Sequence, residues 1–195
     1  SECFIMSKGK CIIFSAPSGS GKTTLVNYLV DQNDLNLIFS ISATTRKKRD
    51  TERKDVDYIF LSKDNFDKKL KRGEFLEHEE VYKGIFYGTL KQSVNDLLKN
   101  HNVIFDIDVE GGIKLKNQFK ENALSVFVKP PSIEELQIRL KNRNKDSLNS
   151  IDVRMSKANY ELSKEIYFDQ TIVNDELEFA KNEAYKLVSQ FLEKK

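Results

Sequence analysis

Residues 16–23 read Ala16-Pro17-Ser18-Gly19-Ser20-Gly21-Lys22-Thr23. The run follows the pattern small-x-x-x-x-G-K-[ST], with Ala16 where the strict phosphate-loop pattern has glycine. Its flanks carry the argument outward. The apolar run Cys11-Ile12-Ile13-Phe14 precedes it, predicting a strand over 11–15, and Leu25, Val26, Leu29 and Val30 follow at the spacing of a buried helical stripe, predicting a helix over 22–31. In a strand–loop–helix the glycines let successive backbone N–H groups turn inward around phosphate oxygens, and the helix N-terminus adds its partial positive charge. Ser18, Gly19, Ser20, Gly21, Lys22, Thr23 and Thr24 are therefore the candidate triphosphate-binding residues. Lys22 is placed to neutralise the β- and γ-phosphates, and the Thr23 hydroxyl to enter a Mg²⁺ shell. An ordinary glycine-rich turn is the alternative, and the matching flanks argue against it.

The bulk properties narrow the class. A chain of 195 residues suffices for one well-packed domain with a small inserted lobe. Charged residues make up 32 %, yet they cancel to a net +2, which argues against a nucleic-acid partner recognised through net charge. Cys3 and Cys11 offer neither a disulfide framework nor a metal spacing, and Cys11 reads as a small buried hydrophobe. No long apolar span and no signal sequence is evident, so the expectation is a soluble cytoplasmic protein with no membrane partner, monomeric, with a dimer as the alternative. Residues before Met6 are set aside from fold reasoning.

Along the chain, Leu37–Phe39 reads as a second strand, and the polar, basic stretch from Ser42 to about Lys54 as a loop or domain edge. Tyr58–Leu61 reads as a strand, 64–72 as a helix and 75–89 as a hairpin around Lys83-Gly84. From Thr89 the pattern alternates again: helix through Leu90, Val94, Leu97 and Leu98, strand Val103–Asp108, helix 110–119, strand Leu124–Val128, and a helix opened by the Ser132/Glu135 capping box. Residues 142–152 look like a polar loop, 153–165 a helix, Thr171–Val173 a strand and 176–193 a last helix. The fold class expected is α/β: a three-layer P-loop fold, its parallel sheet covered by helices on both faces. Residues 10–41 and 90–195 form its core and 42–89 an inserted small mixed α/β lobe.

The lobe carries the second set of motifs. Arg46 and Arg49, three apart, can form a fork for a small anion. Thr44-Thr45-Arg46, Arg49, Glu52 and Tyr58-Ile59-Phe60 together resemble the signature of the guanylate kinase family, with Asp55 in place of the family's glycine and Lys48 in place of its proline. Glu74-Phe75-Leu76-Glu77, Tyr87-Gly88-Thr89, Asp106-Ile107-Asp108, Pro130-Pro131-Ser132 and Asn174-Asp175 extend the resemblance from about Cys11 to the C-terminus. It implies the reaction ATP + GMP ⇌ ADP + GDP, with dGMP also accepted and Mg²⁺ as cofactor. It also implies a GMP site made of Ser42, Arg46, Arg49, Tyr58, Glu77, Tyr87, Thr89, Asp106 and Asp108. In that site Glu77 and Asp108 read guanine, Ser42 lies near O6, and Arg46, Arg49, Tyr58 and Tyr87 hold the phosphate. Guanine's N1–H and N2–H₂ edge suits a carboxylate, whereas adenine would turn a lone pair toward it.

Asp106 and Asp108 are two apart on the expected strand, so both should face the cleft at the sheet's carboxyl edge. Asp106 is assigned with Thr23 to the metal, through water. The resemblance implies a helical lid over ATP at 142–154, within the core span, with Arg139, Arg143 and Arg154 as its arginines, and places Asn174 beside the nucleotide. Asn142 and Asn144, where the family commonly has glycine, would stiffen the hinge. Lys22, Arg46, Arg139, Arg143 and Arg154 are the expected catalytic cations. Two rivals remain: a non-catalytic guanylate-kinase-like interaction module, against which the intact loop and both arginines argue, and a P-loop kinase for another small acceptor.

Overall fold

A computed structural model describes residues 9–143 and 148–194, the side chains of Tyr82 and 143–151 excepted. Cys3 and Asn144 lie outside the described residues. Five strands form one wholly parallel sheet in the order β2-β7-β1-β8-β9: Leu37–Phe39 (β2), Asn102–Asp106 (β7), Cys11–Ser15 (β1), Ala123–Lys129 (β8) and Gln170–Val173 (β9). The strand leading into the glycine loop is thus central, buried on both faces. Its side chains alternate with the period of two that a strand imposes. Ile12 and Phe14 join Leu25, Val26 and Leu29 of α1 (Lys22–Val30) and Ala180, Ala184 and Val188 of α7 (Leu177–Glu193). Cys11 and Ile13 meet Val94 and Leu98 of α3 (Lys91–Leu98) and Leu115 of α4 (Val109–Phe119) on the other face. This is the expected α/β architecture. Burial pushes the Cys11 thiol well above its ordinary range, which leaves it chemically inert.

A second, four-stranded sheet runs β4-β3-β6-β5: Ile59–Phe60, Ala43–Thr44, Ile85–Leu90 and Phe75–Tyr82, with β3 and β4 parallel and the other pairs antiparallel. Helix α2 (Lys63–Lys71), capped by Ser62 Oγ accepting from Asn65 N at 3.1 Å, covers it. Phe66 fills the small core, its ring 4.5 Å from Phe75 and 5.7 Å from Phe86.

Three local expectations are corrected. The basic stretch contains β3, two residues fixed by partners in β4 and β6, too short to leave a periodic signal. Helix α5 (Ile133–Arg143) runs further, and α6 (Leu148–Leu162) starts earlier, than a loop over 142–152 allows. The apolar positions 148, 151, 155, 158 and 162 recur at helical spacing through that polar composition. Finally, β7 ends at Asp106. Ile107 N still bonds Phe14 O, but Asp108 turns away to become the N-cap of α4, its Oδ1 accepting from Gly111 N at 3.1 Å. The two aspartates therefore reach the cleft from a strand end and a helix cap, not from one strand face.

Candidate active site

The glycine loop is shaped by its backbone. Gly19 and Gly21 have φ of 86° and 81°, in the left-handed region that glycine enters without strain. Gly21 is also the N-cap of α1 and offers no side-chain acceptor, so the first amides of α1 stay available to a ligand. A Cβ at Gly21 would collide with the amide of Asn174, which donates to Ser20 O at 2.9 Å. The far end of β9 thus holds the loop in shape. Arg139 joins the same corner, bonding Glu135 Oε1 at 2.9 Å and Asn174 O at 3.3 Å. Ser20 Oγ is buried and, among the described residues, has no partner.

The loop walls a cleft of about 310 Å³ closed by Asp106, Asp108, Lys157 and Glu161. Lys22 Nζ lies 2.7 Å from Asp106 Oδ1 and donates to Ile107 O at 3.0 Å, while Thr23 Oγ1 donates to Asp106 Oδ2 at 2.9 Å. Asp106 thereby gathers the Lys22 and Thr23 side chains of the loop. Among the described residues no three His, Cys, Asp or Glu side chains cluster as a protein-only metal cage. The hydroxyl–carboxylate pair of Thr23 and Asp106 fits a cation of the Mg²⁺ type, which keeps waters and takes phosphate oxygens for the rest.

The second sheet brings Arg46, Tyr58, Glu77, Tyr87 and Thr89 together. Glu77 is 8 % exposed and accepts from Thr89 Oγ1 at 2.7 Å. Burial, aided by the charge of Asp108, pushes its carboxyl up, and the Thr89 bond partly opposes that. Arg46 departs from the expected fork. Its Nη1 and Nη2 bond Glu52 Oε2 and Oε1 at 3.0 and 2.6 Å, Nη1 also reaches Lys47 O, and Nε bonds Tyr87 Oη at 3.1 Å. Four of the five N–H groups are engaged, so in this arrangement an anion meets one free N–H rather than a bidentate face. The guanidinium stacks 5.3 Å from the Tyr58 ring and 5.8 Å from Phe60. Glu52 also accepts from Arg49 N at 2.8 Å, and Arg46 holds its carboxyl down at about 2. The Arg49 side chain is exposed, and Ser42 is half-buried with its carbonyl bonded to Ile59 N. Asp55 has φ 60°, so it takes up the left-handed conformation in which glycine is freely accommodated, and the turn before Tyr58 keeps that shape.

The two sheets meet where β5 packs on α4, with Gln118 bonding Leu76 O. At that seam Glu79, unforeseen from the sequence, lies close to Asp108; desolvation and the Asp108 charge push its carboxyl up to about 7. Its place two residues after Glu77, on the same strand face, was the available signal. Arg154 is half-buried on α6, and the side chain of Arg143 lies outside the described residues. Lys157 and Glu161 were also unforeseen.

A parallel sheet with a glycine loop on its central strand, joined to a second sheet bearing an arginine, two phenols and a buried carboxylate, defines a P-loop phosphotransferase with a separate acceptor site. The family model described as guanylate kinase matches residues 8–195. The chain is 54 % identical over 187 residues to a guanylate kinase of Bacteroides thetaiotaomicron, covering 95 % of this chain and 91 % of the relative. It is 45 % identical to one of Porphyromonas gingivalis, covering 95 % and 99 %. The crystal structure of guanylate kinase from Anaplasma phagocytophilum superposes with a TM-score of 0.73 at 30 % identity, over 96 % of this chain and 88 % of that one. The chain belongs to the guanylate kinase family, and it is a nucleoside-monophosphate kinase, an ATP:GMP phosphotransferase.

Proposed function

We propose that the glycine loop holds the donor ATP with Mg²⁺ and the four-stranded sheet holds GMP or dGMP, the γ-phosphoryl group passing reversibly between them. The observation that supports this most is the buried Glu77, held by Thr89 and close enough to Asp108 to feel its charge, in a chain with an intact glycine loop. A two-point acceptor of that kind suits guanine's donor edge.

On this reading Lys22 leaves Asp106 for the β- and γ-phosphates, and the loop amides take the rest of the triphosphate. Mg²⁺, when bound near Thr23 and Asp106, neutralises charge on the phosphate oxygens. The GMP phosphate meets the last N–H of Arg46, the hydroxyls of Tyr58 and Tyr87, and the exposed head of Arg49. That phosphate is already largely ionised near neutral pH and asks for no strong base, so positioning and charge cancellation supply the rate. Arg139, Arg143 and Arg154 close over the donor, and Asn174 fixes the loop. Closure of the 42–89 lobe and the 142–154 lid excludes the water that would otherwise take the phosphoryl group. A monomer in the cytoplasm is part of this proposal. Among the described residues, no helix is long and apolar enough to cross a membrane.

A coupled ADP-release assay with GMP, dGMP, AMP, CMP and UMP tests the proposal. Turnover of GMP and dGMP alone is expected. Equal turnover of AMP would overturn the guanine pocket, and no turnover at all would favour a binding module.

A further inference from the structure

Helix α6 presents two faces. Met155, Ala158 and Leu162 pack against Leu136 and Leu140 of α5. One residue earlier in each turn, Arg154, Lys157 and Glu161 follow the same three-and-four spacing and form a charged stripe, two members of which wall the phosphate cleft. Lys157 and Glu161 are an unusual pair. Glu161 is only 7 % exposed, lines the cleft and takes no hydrogen bond among the described residues. The charges that compensate it are Lys157 first and then Lys22, while Asp108 opposes it. Lys157, one turn earlier, is exposed and makes no hydrogen bond or ion pair among the described residues.

A largely buried carboxylate is costly to ionise, so helix stability alone does not account for it. The order lysine-then-glutamate at i,i+4 is also the weaker one for stabilising a helix. A charge kept under these conditions at a cleft wall points to a task in the cleft. The other lysine there, Lys22, is already engaged by Asp106 and Ile107 O. Lys157 is thus a cation at the cleft rim with its three donors unspent and a buried anion beside its stem.

The geometry points to Lys157 as a further phosphate-contacting residue of the transfer step, held over the cleft by Glu161 as its positioning residue. Lys157 takes a non-bridging oxygen of the triphosphate as α6 closes, and Glu161 keeps its ammonium from swinging into solvent. Neither belongs to the set of loop lysine and lid arginines, and the inference rests on the glycine loop being the donor site.

Kinetics of Lys157→Met, Lys157→Arg, Glu161→Gln and the double variant Lys157→Met/Glu161→Gln test this, with thermal melting confirming that each folds. Lys157→Met should lower kcat about tenfold or more, the order of one charge-assisted hydrogen bond, with the KM for GMP unchanged. Lys157→Arg should recover part of the loss. Glu161→Gln should cost less than Lys157→Met, and the double variant no more than Lys157→Met alone, because Glu161 acts through Lys157. Titration with a non-hydrolysable ATP analogue should show weaker binding in Lys157→Met and unaltered GMP binding. Wild-type kinetics in Lys157→Met would overturn the contact, and losses that multiply in the double variant would overturn the positioning role. If Glu161→Gln fails to fold, the two Lys157 variants still decide the contact. Wild-type turnover in Lys22→Met would instead overturn the donor-site reading itself, a separate failure.

Discussion

The two proposed substrate sites, donor and acceptor, are built by different means. The donor half is backbone: two glycines at positive φ, an uncapped helix start, and an asparagine amide pinning one carbonyl, all set on a strand buried on both faces. The acceptor half is side chain: a guanidinium clamped by Glu52, a phenol, and a buried carboxylate held by a threonine, on a sheet whose core is four buried residues and a few partly buried neighbours. A backbone site is anchored by the fold around it, and substituting an exposed loop residue disturbs it little. A side-chain site over a small core depends on each member, and its local stability is low by the same token.

The sharpest way to break that contrast is at Lys22, a donor-side residue that acts through its side chain. Lys22→Met is expected to lower kcat on the order of 10³-fold while melting like the wild type, read by steady-state kinetics and calorimetry. Phe66→Ala should destabilise the smaller sheet by about 3 kcal/mol. Hydrogen exchange should then show residues 42–90 losing protection while β1, β7 and β8 keep theirs; equal loss in both sheets would mean that they share one core. Arg46→Ala should raise the KM for GMP about a hundredfold and leave that for ATP within a factor of about two, because the loss includes an unpaired Glu52 beside the incoming phosphate. Parallel changes in both constants would erase the distinction between the halves.

The smallest effect is acid sensitivity. Glu52 is held at about 2 against an ordinary 4.5, so the folded state favours its ionised form. The stability this adds is present above pH 4.5 and fades as pH falls toward 2. In near-UV circular dichroism of the tyrosines, wild type should lose signal over that window more than Glu52→Gln does. Superimposable titrations would show that the pair adds no acid sensitivity, the outcome solvent screening favours for surface pairs.

How legible each half was in the sequence follows from the same contrast. Ala16–Thr23 with its flanks is a local pattern, and strand, loop, helix and the phosphate chemistry could be read from some twenty consecutive residues. The acceptor site joins Arg46, Glu52, Tyr58, Glu77, Tyr87 and Asp108 through pairings such as Ala43 with Gly88, which no periodicity announces; only the family resemblance assembled them. Even then the use of the Arg46 fork by Glu52 was invisible, because a signature names residues without saying which donor faces which acceptor. The early start of α6 was masked by polar composition, and no local pattern marks Glu161 as a residue of the cleft wall.

The Asn174 amide has a consequence in time as well as in space. It belongs to the turn after β9, and it holds a carbonyl 154 residues earlier in the chain. A polypeptide stalled during synthesis at residue 169 would carry the whole glycine loop yet lack both the clamp and the α7 face that packs on α1. Such a nascent chain should grip nucleotide poorly, so ATP affinity on the ribosome would report the arrival of β9 rather than the emergence of the loop.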